Sequence, residues 1–177
     1  MRKLMWILAL MLFLALPAMA QTPQVEVFGG FSYLRADVGG ADLNQKGWNF
    51  SVNENLNDWL GGVADFSGHY GHEAGLNVND HTFMFGPRFS YRKNSSFTPF
   101  AQVLLGGMRA SRGYLGISQP TTDFAAAFGG GLDVKIHDKI AIRVIQAEYV
   151  VTPYLDLRQD NFRLSAGIVL QLWPRKK

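Results

Sequence analysis

The segment Thr82-Phe83-Met84-Phe85-Gly86-Pro87-Arg88-Phe89-Ser90-Tyr91-Arg92 alternates between two kinds of surface. Phe83, Phe85, Pro87, Phe89 and Tyr91 share one parity, while Thr82, Met84, Gly86, Arg88, Ser90 and Arg92 share the other. Successive side chains of a β-strand point to opposite sides, so a strand here has one aromatic face and one face with two arginines among small or polar groups. The aromatic face could cover a soluble core, or it could meet lipid around a polar barrel interior. The remaining sequence has to choose between these.

Seven further segments repeat the pattern, at about 25–34, 47–52, 60–70, 98–108, 124–134, 140–150 and 162–172. Among them 47–52 is the shortest, and 98–108 has poorly distinguished faces. In 140–150, Ile142 and Val144 oppose Arg143, but Gln146 and Glu148 then fall on the apolar parity. Either a bulge resets the faces there, or those two residues stand above the apolar band. Pro87 raises a second question, because a closed sheet has no free edge and proline donates no backbone hydrogen bond. A local bulge or an unpaired neighbouring carbonyl is expected at that point.

The connections differ in character. Asn53–Asp58, Lys93–Ser96 and His137–Lys139 read as turns, whereas 37–46, 71–80, 110–122 and 151–160 read as longer loops. Eight antiparallel strands of about ten residues, with turns at one end and loops at the other, make an up-and-down barrel spanning a bacterial outer membrane. In that arrangement both termini are periplasmic. A soluble sandwich or ligand-binding barrel would need an apolar inner face and a charged outer one. Here the polar face instead carries isolated charges separated by Gly, Ala and Ser, which suits a crowded lumen.

The first 20 residues agree with export. Arg2 and Lys3 precede an apolar run from Leu4 to Leu16, and Ala18-Met19-Ala20 is a small-x-small cleavage site. The expected organisation is a cleaved signal peptide at 1–20, a barrel over 21–173 and a short basic tail at 174–177. Removing 20 of the 177 residues leaves 157, enough for one domain. Cysteine is absent, which excludes disulfides, thiol redox chemistry and thiolate metal sites. The formal charge of +3 does not indicate nucleic acid, because Arg2 and Lys3 leave with the leader and Arg175, Lys176 and Lys177 are clustered at the end.

Several stretches resemble the small eight-stranded outer-membrane β-barrel proteins of the OmpA-like transmembrane type, especially a subgroup common in soil and acidobacterial proteomes. They are Val27-Phe28-Gly29-Gly30-Phe31-Ser32-Tyr33-Leu34-Arg35-Ala36-Asp37, Ala64-Asp65-Phe66-Ser67-Gly68-His69-Tyr70 and Phe85-Gly86-Pro87-Arg88-Phe89-Ser90-Tyr91-Arg92. Gly129-Gly130-Gly131-Leu132-Asp133 and Phe162-Arg163-Leu164-Ser165-Ala166-Gly167-Ile168 extend the likeness, which covers residues 24 to 172. The resemblance implies a membrane-embedded protein inserted by the barrel-assembly machinery, in contact with outer-membrane lipids and lipopolysaccharide. It is a likeness to the barrel alone, without the peptidoglycan-binding domain of larger relatives. Relatives of this kind end their last strand on a terminal aromatic residue. Here the matching position is Leu172, followed by Trp173 and four more residues.

The polar face would hold Glu26, Asp65, His69, Arg88, Arg92, Asp133, Arg143 and Arg163. Unpaired charge in a narrow interior is costly, so acids and bases should interleave as pairs between strands. A structural network of Glu26, Asp65, Arg88, Arg92, Asp133, Arg143 and Arg163 that plugs the lumen is therefore expected, with no cofactor, no metal site and no catalytic residue. The expected work is structural or adhesive, acting on a surface ligand that the sequence does not identify. The alternatives are a small porin or channel, or an outer-leaflet lipid-modifying enzyme.

Asp65, Ser67 and His69 are the natural hydrolytic candidates. Neighbouring members are two residues apart on one face, and that separation of about 6.6–6.8 Å along a strand is too long for a nucleophile-to-base hydrogen bond. A partner for Ser67 from another strand, such as His81 or Glu148, would be needed. His72, His81 and His137 have no compact metal-ligand spacing. Tyr33, Trp48, Tyr70, Tyr91, Tyr149, Tyr154 and Trp173 lie near segment ends, where their rings would sit among lipid headgroups. Arg109, Arg112 and Tyr114, near the start of one long loop, could reach lipopolysaccharide phosphate.

Overall fold

The computed structural model describes residues 24–38, 41–73, 76–92, 96–114, 117–137, 139–154 and 157–172. The expected leader, Trp173 and the basic tail lie outside them. Eight strands follow one another: β1 (Gln24–Val38), β2 (Ala41–Asn55), β3 (Leu60–Glu73), β4 (Leu76–Ser90), β5 (Phe97–Tyr114), β6 (Ile117–His137), β7 (Ile140–Tyr154) and β8 (Leu157–Gln171). Each pairs antiparallel with the next, and β8 pairs with β1 to close the barrel. Closure is what satisfies the backbone groups of every strand in a medium without water. At the closing seam Gly30 faces Gly167, and a Cβ on either would collide with the opposite backbone.

The strands are longer than their sequence segments. β2 has 15 residues where only 47–52 alternates clearly, and β6 reaches 21. The segments expected as long loops are for the most part paired strand: Val38 pairs with Ala41, Glu73 with Leu76, Tyr114 with Ile117 and Tyr154 with Leu157. Their polar composition resembles loop, since a two-stranded ribbon outside lipid has no apolar face to advertise it. The asymmetry between the two ends survives in another form. Outward apolar side chains begin near the chain termini and stop at Tyr33, Trp48, Phe83, Leu105, Phe124 and Phe162, and the four hairpins run on past that limit.

Within the belt, Phe31, Phe50, Phe66, Phe83, Phe85, Phe89, Phe128, Ile142, Ile168 and Leu170 all point outward and are exposed. Phe85, for example, is 45% exposed, while Met84 beside it is fully buried. Phe66 meets Phe85 edge-on with ring centroids 6.0 Å apart, and Trp59 stacks on Phe89 at 6.0 Å. Such packing stiffens a wall whose outer side has only lipid to bury against.

Two local irregularities were anticipated. At Pro87 no bulge forms: β4 pairs with β5 as Phe85↔Leu105 and again as Arg88↔Gln102, which is one continuous register. The pairing merely lapses over Gly86 and Pro87, and Pro87 keeps its place opposite Gly62 of β3. The missing donor thus falls on the β5 side. In β7 the bulge is real. The register shifts against both neighbours around Val144 and Ile145, which both face outward at 53% and 47% exposure. That extra residue turns Gln146 and Glu148 inward, where both are buried.

Candidate functional site

The barrel interior concentrates the polar chemistry. Alternation places Glu26, Asp65, His69, Arg88, Asp133, Arg143 and Arg163 inside, all buried, and Arg92 closes the end near the chain termini at half-burial. Each of the buried charges comes from a strand whose opposite parity is apolar, so the same period that builds the lipid face builds the network.

The network has three parts. At the terminus end, Arg92 makes a two-pronged contact with Glu26 at 2.9 and 3.0 Å, and Nη2 also donates to Asn55. Asn53 and Gln171 donate to the same Glu26 carboxylate. Next, Arg143 grips Asp133 at 2.7 and 2.9 Å and donates to Gln146 at 2.6 Å. Its guanidinium lies over the Phe28 and Phe100 rings, and that of Arg88 also lies 4.4 Å from the Phe100 centroid. Phe100 is thereby held between two cations whose spread charge an aromatic face attracts.

The third part spans the bore. Arg163 of β8 reaches Glu148 of β7 at 2.7 Å and Asp65 of β3 at 2.9 Å, and donates to Ser67 at 3.0 Å. Asn49 donates to Asp65 at 2.9 Å, and Ser67 and Thr82 share a 2.6 Å hydrogen bond. Arg163 therefore holds two carboxylates, and among the described residues Arg88 holds none directly. Gln102 supplies the link: its Oε1 accepts from Arg88 at 2.8 Å and its Nε2 donates to Glu148 at 2.7 Å. These groups comprise the four acids Glu26, Asp65, Asp133 and Glu148 and the four bases Arg88, Arg92, Arg143 and Arg163, and a further buried acid, Asp80, accepts from Gln45 at 2.6 Å. Pairing acids with bases matters here because most of these charges have left water.

Sequence reasoning missed several members, among them Glu148, Gln146 and Gln102. Glu148 and Gln146 were masked by the bulge, although the parity change after Val144 signalled it. Gln102 carries no charge and sits in the strand with the least distinct faces. Apolar side chains fill the space between the polar groups, with Leu34, Val63, Met84, Leu104, Met108, Ala125, Ala127 and Val150 forming one buried cluster.

Ser67 does not find a base in His81 or Glu148. Ser67 is engaged by Thr82 and Arg163, Glu148 is bound to Arg163 and two glutamines, and His81 points outward. His69 instead meets Ser32, with 2.8 Å between Ser32 Oγ and His69 Nε2, and Ser32 also bonds Ser165 at 2.9 Å. Both members of that pair are fully buried, and His69 Nδ1 has no hydrogen-bond partner. Among the described residues no carboxylate orients the ring, so there the pair lacks the third member that would hold a general base in place. Among the described residues no cluster of three or more His, Asp or Glu could hold a metal ion. The side chains of His72, Arg112, Tyr114 and Tyr154 lie outside the described ones.

Comparisons with known proteins agree with this architecture. Residues 6–169 match the model of the outer membrane protein beta-barrel domain. Neisserial surface protein A superposes with a TM-score of 0.74 at 14% identity, covering 84% of this chain and 97% of that one. The attachment invasion locus protein Ail of Yersinia pestis gives 0.59 at 21% identity, over 84% and 99%. The N-terminal β-barrel domain of OprF from Pseudomonas aeruginosa gives 0.53 at 14%, over 84% and 100%. At these identities the likeness is one of fold. Curated protein sequences gave no match. With the closed eight-stranded barrel, its apolar outer belt and a family match over most of its length, this chain belongs to the outer membrane protein beta-barrel family and resides in the bacterial outer membrane.

Proposed function

We propose that this protein is a plugged, non-conducting barrel whose work is structural or adhesive, carried by its outer wall and projecting hairpins. The observation behind the proposal is the bridge from Arg163 on β8 to Asp65 and Ser67 on β3, strands separated by β1 and β2. Ser32 to His69 and Gln102 to Glu148 likewise join strands that are not neighbours in the wall. An eight-stranded barrel has an interior about wide enough for its own side chains, so bonds across the middle leave little room for a diffusing solute.

The proposed orientation puts both termini in the periplasm and the four hairpins outside the cell. It rests on the position of the apolar belt close to the terminus end, since outer-membrane barrels extend their longer connections outward. No catalytic role is assigned, because the serine–histidine contact is enclosed and lacks an acid. Insertion by the barrel-assembly machinery and contact with lipopolysaccharide belong to the same reading.

Planar-bilayer recording of the purified full chain tests it. The expected trace is flat under applied voltage. Reproducible single-channel steps from a folded, heat-modifiable sample would replace the plugged barrel with a small channel.

A further inference from the structure

On the outer wall, where the apolar belt ends and the hairpins begin, four consecutive strands present one polar row. Lys46 of β2 pairs with Tyr70 of β3, and His81 of β4 pairs with Arg109 of β5. Tyr70 joins the two halves: its hydroxyl lies 3.3 Å from His81 Nε2, and the rings meet edge-on with centroids 5.7 Å apart. Lys46, Tyr70, His81 and Arg109 are all exposed. On the lipid side, Trp48 lies against Gly68, its indole nitrogen 3.4 Å from the Tyr70 hydroxyl. Phe83 covers Gly107 in the same way.

The geometry points to a binding site for the phosphate groups of an outer-leaflet lipopolysaccharide, formed by Lys46, Tyr70, His81 and Arg109 on the outside of the barrel. Three features carry it. Lys46 stands two residues beyond Trp48 on β2 and His81 two residues beyond Phe83 on β4, so the polar groups begin where the ring of outward aromatics that marks a headgroup boundary ends. Among the described side chains of β2 to β5, the outward acid Glu54 stands at the opposite end of the wall, as does Asp58 in the turn after β2, so no described outward carboxylate of these four strands lies in the row. Three interstrand steps and a two-residue offset between the Tyr70 and His81 registers separate Lys46 from Arg109, a span of about 16 Å. That is room for a sugar headgroup bearing two phosphates, with a lysine at one end and an arginine fork at the other. Trp48 and Phe83 below would lie along its acyl chains.

This inference rests on the orientation proposed above, which places the row in the outer leaflet. The two are separable. Because the chain has no cysteine, Thr121→Cys in a hairpin and Asn57→Cys in a turn at the other end can each be labelled alone. An impermeant maleimide on intact cells reports orientation, and binding in detergent reports the site whichever way the barrel faces.

The binding experiment titrates purified bisphosphorylated lipid A into the refolded full chain in neutral detergent by calorimetry. Removing two headgroup-contacting cations in K46A/R109A is expected to weaken binding about thirtyfold, and the single changes Lys46→Gln and Arg109→Gln about fivefold each. Lys139→Ala, at the opposite end, should bind like the parent. Heat-modifiable migration checks that each variant has folded, and the two single variants carry the test if the double variant does not fold. The proposal is overturned by parent-like affinity in the folded variants or by equal binding of dephosphorylated lipid A. Equally tight binding of phosphatidylglycerol would assign the row to general phospholipid charge and overturn it as well.

Discussion

Arg163 and Asp65 face each other across the lumen at 2.9 Å, although they come from strands β8 and β3 that share no backbone pairing. Both are buried, and Arg163 also holds Glu148. The contact therefore cross-braces the barrel, and its removal strands two carboxylates in a medium that cannot hydrate them.

Arg163→Met is expected to destabilise the protein by about 3–5 kcal/mol, the usual cost of breaking one side of a buried ion pair. Urea unfolding in lipid vesicles, followed by tryptophan fluorescence, measures it. A loss below that of an ordinary surface substitution would mean that Asp65 and Glu148 find other partners.

Gln102 is the only link between Arg88 and a carboxylate in the network described. Gln102→Leu keeps the volume roughly but leaves Arg88 without its amide acceptor. A cost of about 1–3 kcal/mol is expected in the same unfolding assay, more than an uncharged residue would suggest from sequence. Equal stability of the variant would show that Phe100 alone is sufficient to hold Arg88.

Deleting Ile145 should be tolerated. The bulge adds one residue to β7 against both β6 and β8, so the deletion restores regular alternation while Arg143, Gln146 and Glu148 remain inward. Deleting Leu105 from the regular part of β5 should abolish folding, because it turns the rest of that strand inside out. Heat-modifiable migration of the two variants distinguishes the outcomes, and a misfolded Ile145 deletion with a folded Leu105 deletion would contradict the register.

Depth on the outer wall sets the cost of charge. Phe85, in the middle of the belt, should lose about 2–4 kcal/mol on substitution by arginine, whereas Phe97 at its edge should lose about 0–1 kcal/mol. Both side chains point outward at present. Unfolding midpoints in vesicles of defined thickness give the comparison, and similar losses at both positions would displace the belt from where the aromatics put it.

Much of this architecture was legible without coordinates. Alternation from Phe83 to Tyr91 separates an aromatic face from an arginine-bearing one, since a strand has only two sides, and its repetition in seven other segments assigns the aromatic face to lipid and brings Arg88, Asp133 and Arg163 to a common interior. What alternation cannot express is a change of phase or a partner across the bore. The bulge at Val144 and Ile145 brings Glu148 into the network, and its presence depends on how β7 meets β6 and β8 together. The hairpins beyond the belt are strands because their partners pair with them, although their polar residues resemble loop. Pro87 needs no bulge because its place opposite Gly62 is kept and only the ladder to β5 is interrupted. The sequence by itself thus determined the faces and the residues of each, through the two-residue period of a strand. Only closure of the barrel decided which charges meet, because Arg163 and Asp65 lie far apart along the chain and become neighbours when β8 joins β1.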